Sequence, residues 1–230
     1  MQYLWEKFNI KTFPAHNVVF VDGIFRPEIS ETGSLVKIEN DNIVIEKASD
    51  LPVHIISVGN SLEWQCLEVF IPKEETRVFF TAKIEIKKPA FLQLFIENAG
   101  KNSIFKGSVT AQNFTDFKLD IIANHLVPGT GIFAENRILA HRASTTELTG
   151  TTKIIADCGT CESDISFSAM CAPDIKSIKM SPNQRIASVP ESAEHSASIY
   201  RGTKQQIQFL SGAGLSPDDV KKTLEEAFVA

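Results

Sequence analysis

The stretch RVFFTAKIEI, residues 77–86, is the clearest β-strand signal in the chain. Apolar side chains occupy every second position, and they are Val78, Phe80, Ala82, Ile84 and Ile86. A period of two places these five side chains on one face of an extended strand. The stretch therefore predicts a strand with one face buried in a core.

Similar short runs recur from Leu51 to about Ile186, with Pro, Gly, Asn and Lys between them as turns require. They are VHIISV (53–58), CLEVFI (66–71), FLQLFIE (91–97) and FKLDII (117–122). Two hairpins are predicted before them, at Asp22-Gly23 and around residues 39–42. The pattern indicates a mainly β chain. It leaves a sandwich, a barrel and a parallel β-solenoid open, although the lack of Asn-Gly or Asp-Gly turns after residue 45 favours a solenoid. No fixed-period repeat is visible.

The last part of the chain changes to helical patterning. Thr203 is suited to cap one helix, and Ser216-Pro217 is suited to begin another. The predicted divisions are a hairpin region at 1–50, a β core at 51–186 and a strand with two helices at 187–230. The apolar stripe of the helices either packs on the β body or docks a partner. The side chains predicted to form such a partner surface are Tyr200, Ile207, Leu210, Val220, Leu224 and Phe228.

Composition excludes several classes of protein. The formal net charge is −5, without a dense basic run, which argues against a nucleic-acid partner. Glu6 and Lys7 interrupt any signal peptide, and no window is apolar enough for a membrane helix. We therefore expect a cytoplasmic protein with reduced cysteines. No nucleotide-binding or hydrolase motif occurs, so we expect no enzyme activity of its own.

Four residues carry the chemistry that sequence alone suggests. Cys158 and Cys161 form a C-x-x-C, Cys171 follows ten residues later, and His195 lies on a later predicted strand. In a solenoid these side chains could converge on zinc or an iron–sulfur cluster. The other interpretations are small buried thiols or a redox dithiol, and structural roles are expected for Cys66, His125 and His141.

The tail at 178–230 resembles the C-terminal region of the SufB/SufD family of iron–sulfur cluster assembly proteins. The matching features, in order, are Pro182 before a short strand to Ile186, His195 followed by Ser-Ala-Ser, a helix ending at Gly212-Ala213-Gly214, and Ala227-Phe228. The stretches at 18–30 and 125–154 also look like family blocks. The chain is roughly half as long as typical members.

The resemblance implies a right-handed parallel β-helix with a C-terminal helical segment that binds the ABC-type ATPase SufC. It also implies cluster assembly residues: Cys171 falls near a SufB cysteine, and Glu194-His195 matches part of a SufB Glu-His-Glu. Ser196 stands where the second Glu would be, and Ala193 stands where SufD proteins carry a Cys.

These features predict a non-enzymatic scaffold for cluster assembly, working with a SufC-like ATPase. It would act as a homodimer or beside a SufB-like chain, and would hold a transient iron–sulfur cluster. The alternative is a metal-stabilised structural or interaction protein that kept the β-helix and lost assembly.

Overall fold

The computed structural model describes residues 16–21, 24–27, 30, 35–39, 42–47, 51–59, 65–141, 144–172 and 175–229. Its strands are β1 (His16–Val21), β2 (Ile24–Phe25), β3 (Val36–Glu39), β4 (Asn42–Ile45), β5 (Val53–Gly59), β6 (Gln65–Ile71), β7 (Arg77–Ile86), β8 (Ala90–Asn98), β9 (Ile104–Asn113), β10 (Asp116–His125), β11 (Gly131–Ala140), β12 (Thr145–Ile154), β13 (Glu162–Cys171), β14 (Ser177–Ile186) and β15 (Ser192–Tyr200). Its helices are α1 (Lys204–Gly212) and α2 (Pro217–Val229).

From β4 onward the strands alternate between two sheets. The first sheet has the order β15-β13-β11-β9-β7-β5-β1-β2, and the second has the order β14-β12-β10-β8-β6-β4-β3. Strands that follow one another in the same sheet from coil to coil are parallel, as in β7 with β9 and β10 with β12. The chain is therefore a β-solenoid of about five turns with two C-terminal helices, which confirms the predicted fold class.

Unequal coils explain why no repeat is visible in the sequence. Successive partners along the first sheet are Val53 with Val78, Val78 with Phe105, Phe105 with Ile132, Ile132 with Ser163 and Ser163 with Ala193, so the coils are 25, 27, 27, 31 and 30 residues long. Only the middle two are equal. Each connection absorbs the difference while the strands stay in register.

The core lies between the two sheets and follows the predicted alternation. In β7, Val78, Phe80, Ala82, Ile84 and Ile86 are all buried, and the side chains between them are only partly so. The inward side chains of β8 and β10 come from the opposite sheet and join the same core cluster. Burial of these side chains at roughly 25 cal/mol per Å² drives the two sheets together.

Both predicted N-terminal hairpins are present. β1 pairs antiparallel with β2, and β3 pairs antiparallel with β4. The predicted turn residues 22–23 lie outside the described residues. Of the second predicted turn, around 39–42, Glu39 ends β3 and Asn42 begins β4, while residues 40–41 lie outside the described residues. Because β1 also pairs with β5 and β4 with β6, the hairpin strands are continuous with the two sheets of the solenoid.

The C-terminal end of the solenoid lies further along the chain than the predicted boundary at 186. β15 pairs with β13 along its length, so the β body continues to Tyr200. Among the described residues, no strand pairs with the outer edges of β14 and β15. The solenoid therefore ends in two open strand edges.

The two helices begin where their caps were predicted. Thr203 accepts a hydrogen bond from the Gln206 amide, and the Gln206 side chain accepts one from the Thr203 amide. Ser216 caps α2 through the Asp219 amide. α2 packs beside β11, so the tail folds back along one corner of the solenoid and leaves the open end uncovered. Neither helix is long and apolar enough to cross a membrane.

A core substitution tests this arrangement. Phe80→Ala should lower the free energy of unfolding by about 3–5 kcal/mol, because it leaves a cavity between the sheets. Thr81→Ala, one residue along and facing outward, should cost less than about 1 kcal/mol. Urea unfolding of both variants measures the difference, and equal losses would contradict the inward and outward assignment.

Candidate functional site

His195 lies on the last strand of the first sheet, at the open end of the solenoid. In register it follows Ile165, a fully buried residue of β13. His195 therefore occupies an inward column, yet it is exposed because no described strand continues the sheet beyond β15. The end of the solenoid thus presents to solvent an imidazole that an additional coil would bury.

Carboxylates lie beside this histidine. Glu194 is exposed on the outward face and pairs in register with Asp164 of β13. Burial raises the pKa of Asp164, and the charges of Glu194 and Glu135 raise it further, while His195 lowers it. Asp164 was not predicted from sequence, because its proximity to Glu194 arises only from the pairing of coils 30 residues apart.

Cys171 lies at the far end of β13, under the helices. It is partly buried and lines a cavity of about 680 Å³ between the solenoid corner and the two helices. Burial raises the pKa of its thiol, and the positive charge of Arg201 lowers it. The other walls of the cavity are mainly apolar, including Ile178, Ile199, Ile207, Val220 and Leu224.

The four predicted ligands do not converge within one chain. Cys161 directly precedes β13 and Cys171 ends it, so ten residues of strand, or about 33 Å, separate them. His195 lies beside Ile165, which is six residues or about 20 Å from Cys171. An iron or zinc ion bound by all four residues would require a different arrangement of β13.

Cys158 and Cys161 do come together. Their Sγ atoms are 2.9 Å apart, and both side chains are buried. The Val127 carbonyl oxygen accepts from Cys158 Sγ at 2.8 Å, and Thr130 Oγ1 lies 3.3 Å from Cys161 Sγ. Burial raises the pKa of the Cys158 thiol to about 12, helped by the neighbouring thiol. The pair packs with Ile154 and with Ala193 of β15.

The immediate surroundings of the two thiols do not complete a zinc site. Two thiolates on one tetrahedral zinc lie roughly 3.8 Å apart, from Zn–S bonds of about 2.3 Å, so these sulfurs would have to separate. Their other close partners are a carbonyl and a hydroxyl. Among the described residues, no group of three or more His, Cys, Asp or Glu side chains is placed to hold a metal.

His125 is a buried structural histidine beside this pair, as predicted. Its Nδ1 lies 2.8 Å from Thr130 Oγ1. Thr130 donates its own proton to the Val127 carbonyl, so it can accept one from Nδ1 and leave Nε2 unprotonated. Nε2 has no hydrogen-bond partner among the described residues. Burial lowers the pKa of His125 to about 4, despite the opposing effect of the Thr130 backbone.

The predicted partner surface on the helices divides into buried and exposed parts. Val220 is buried in the contact with the solenoid, and the Tyr200 ring packs against the Phe228 ring in a tilted arrangement, with ring centroids 5.6 Å apart. Leu210, Leu224 and Phe228 are partly buried, whereas Tyr200 and Ile207 are exposed.

Phe209 was not predicted and is the most exposed large apolar side chain of the helices, at 76%. Phe209 directly precedes the partly buried Leu210, so it points to a different face of α1. This position in the helical pattern is the sequence signal that could have identified it.

No protein-family model matches the chain, and no curated protein matches its sequence.

The buried His125 predicts a pH dependence of stability. Below pH 6.5 the unfolded chain binds a proton at this residue, whereas the native chain binds it only near pH 4. The free energy of unfolding should therefore fall by about 3 kcal/mol in total as the pH drops from 6.5 to about 4. Above pH 6.5 this loss of stability is absent.

His125→Gln should remove most of this fall, measured by urea unfolding at pH 7.5, 6, 5 and 4.5. An unchanged slope in His125→Gln would show that another group causes the pH dependence.

Proposed function

We propose that this chain is a scaffold subunit of a SUF-type iron–sulfur cluster assembly complex that works with a SufC-like ABC ATPase. The observation that carries the proposal is the open C-terminal end of the solenoid. There His195 is exposed on β15, which pairs with β13 on one side and, among the described residues, with no strand on the other. The helix α1, which follows β15, exposes the apolar side chains of Ile207 and Phe209. The resemblance of the tail to the SufB/SufD family supplies the reaction.

The open edge supports a second subunit at this end. Unpaired backbone N–H and C=O groups along β15 can pair with another strand, either from a second copy or from a SufB-like chain. β14 is the poorer edge, because Pro182 lacks an amide proton and Lys179 and Arg185 add charge. β15 carries neither proline nor cationic side chains before Arg201. We therefore assign the subunit contact to β15.

Iron and sulfide are the cargo of this proposed scaffold. His195 offers an imidazole on the inward face of β15 and Glu194 offers a carboxylate on its outward face, and each can ligate iron. Cys171 lies about 20 Å along the strands from the position of His195, so the two residues cannot hold the same iron within one chain. A shared ligand set would have to include side chains of the second subunit. Cys171 would then ligate iron at the corner of the solenoid that the two helices cover.

The helices are the proposed docking surface for the ATPase. Ile207 and Phe209 of α1 expose 43% and 76% of their surface, and α1 has no buried residue. Val220 packs α2 against the solenoid, and residues of both helices line the cavity beside Cys171. A partner bound to α1 would therefore act on the corner that contains Cys171. ATP hydrolysis by the partner could in this way change access to the thiol.

The alternative is a structural or interaction protein stabilised by metal, which retained the β-helix without assembly. The observation on its side is that Ala193 and Ser196 stand in place of the ligands that the family resemblance leads us to expect. Bound zinc in a chain that acquires no iron under assembly conditions would favour it.

Docking through α1 is tested with the full chain and a SufC-like ATPase. Phe209→Asp should reduce ATPase capture at least about tenfold, because it places a charge in an apolar contact. Val189→Asp alters an apolar side chain on a turn of the solenoid that is 88% exposed, and it should bind as wild type does. Equal binding by both variants would exclude α1 as the docking surface.

Cluster assembly itself is tested by anaerobic reconstitution with iron, sulfide and the ATPase. The wild-type complex should bind iron and sulfide and show a cluster absorbance band. The double variant Cys171→Ser/His195→Ala should lose at least about four-fifths of the iron, because it removes a thiolate and an imidazole ligand.

Cys66→Ser is the matched thiol control, since Cys66 lies partly buried in β6 and its Sγ contacts Gln93. It should retain wild-type iron. A double variant that still assembles clusters, or a wild-type complex that binds no iron, would overturn the proposed function.

A further inference from the structure

The turn that contains Cys158 and Cys161 is longer than the four other turns that join the second sheet to the first between β6 and β15. The earlier connection at 46–52 also has seven residues, and it lies only partly within the described residues. The connections at 72–76, 99–103, 126–130 and 187–191 each join the second sheet to the first in five residues. The connection at 155–161 has seven. The two additional residues precede Cys158 in the turn, so the backbone of this turn does not follow that of the five-residue turns.

The backbone of this turn has an additional bend. The three preceding turns each contain one residue with positive φ, at Glu75, Asn102 and Gly129. Thr160 takes the equivalent position, but Asp157 adds a second left-handed residue with φ 63°, directly before Cys158. This conformation is unfavourable for a residue with a side chain, so the surrounding fold must hold it in place.

Cys161 has a packing explanation. The register of the flanking strands aligns it with Thr76, Ser103 and Thr130, and all four residues are buried. A thiol in this column replaces a small hydroxyl side chain that the other coils use. Packing alone therefore explains the thiol of Cys161.

Cys158 breaks the pattern of its own column. The same alignment places it with Lys73, Gly100 and Val127. Lys73 is exposed, Gly100 has no side chain, and Val127 is partly exposed. Cys158 is instead 1% exposed, with its Sγ in contact with Cys161 Sγ. The longer turn thus brings a second thiol onto the first.

We propose that Cys158 and Cys161 are a reversible dithiol–disulfide pair that closes within the turn at 155–161 and anchors the start of β15. The oxidant is a small-molecule disulfide. One cysteine thiolate attacks it, forming a mixed disulfide and releasing one thiol. The second cysteine then attacks the mixed disulfide, forming the Cys158–Cys161 bond and releasing the second thiol. The protein loses two protons and two electrons, and the small disulfide is reduced to two thiols.

The anchoring follows from contacts of the turn with β15. The Cys161 carbonyl accepts hydrogen bonds from the Glu191 and Ser192 amides at 2.9 and 3.3 Å, and Ala193 packs against the thiol pair. Within the part of the chain that the structure describes, β15 is paired on one side only, so these contacts hold its first residues. A disulfide that fixes Cys161 therefore restrains the strand that contains His195.

Access to the pair requires the turn to open. Ile155, Ala156, Asp157 and Thr160 are exposed, whereas the two sulfurs lie directly beneath them. Local opening of an exposed turn is a low-energy fluctuation in many proteins. The reduced thiols should accordingly react with an alkylating reagent more slowly than the thiols of Cys66 and Cys171. The proposal does not depend on iron–sulfur assembly, and its test uses no iron.

The test incubates the full chain with oxidised glutathione, with low urea added so that the turn opens, and then maps the peptides by mass spectrometry. Two of the four thiols should disappear, and the peptide that contains both cysteines should become about 2 Da lighter. A dithiol reductant should reverse the change. Cys66→Ser and Cys171→Ser should still lose two thiols, whereas Cys158→Ala should form no intramolecular bond.

Hydrogen exchange tests the anchoring on wild-type protein, so it does not rely on the folding of any variant. The Glu191 and Ser192 amides should exchange at least about fivefold more slowly in the oxidised form. Four free thiols after incubation, or a bond that includes Cys66 or Cys171, would overturn the disulfide. A Cys158–Cys161 bond with unchanged exchange at these amides would overturn the anchoring.

Discussion

Backbone pairing between coils is the constraint on which the rest of this structure depends. Every coil supplies one strand to each sheet, and each strand is fully hydrogen-bonded only when coils lie on both sides of it. At the N-terminal end the described hairpin strands β2 and β3 take that place. At the other end β14 and β15 have no such neighbour among the described residues, so the edge available for association is a direct consequence of the solenoid.

The same pairing brings buried side-chain amides of one coil to backbone carbonyls of the next, which satisfies some of their hydrogen bonds. The Asn113 amide donates to the Thr145 carbonyl at 3.1 Å, and the Asn136 amide donates to the Ser166 carbonyl at 3.0 Å. Each bond joins one coil to a chain segment about 30 residues away. Such bonds fix the register of the coils, because a shift of one residue would bury these amides without partners.

Local signals in the sequence predicted the elements that depend on local structure. The alternation in β7, the two hairpins and the Thr203 and Ser216 caps all involve residues within a few positions of one another. The register between coils could not be predicted, because the coils differ in length. The left-handed column, which contains Glu75, Asn102, Gly129 and Thr160, has no shared residue type to mark it.

The candidate site also combines features that depend on local sequence with features that depend on the register between coils. That Cys158 and Cys161 are close follows from their spacing in a turn. Their contacts with Val127 and Thr130 come from the preceding coil, about 30 residues earlier, and depend on the register. The separation of Cys171 from His195 depends on it too. Sequence spacing placed both residues in the last coils, but only the pairing of β13 with β15 sets the distance between them.

β15 connects the two ends of this site. Its first residues are held by the Cys161 carbonyl at one corner, and its last residue, Tyr200, packs on Phe228 of α2 at the opposite corner. Among the described residues, the strand between these anchors is paired with β13 alone, so His195 lies on the segment with the least support on its outer side. The thiol pair and the helical tail contact the two ends of this one strand, at corners about 30 Å apart. The support of His195 at the open edge therefore rests on the contacts at the ends of β15 and on its pairing with β13.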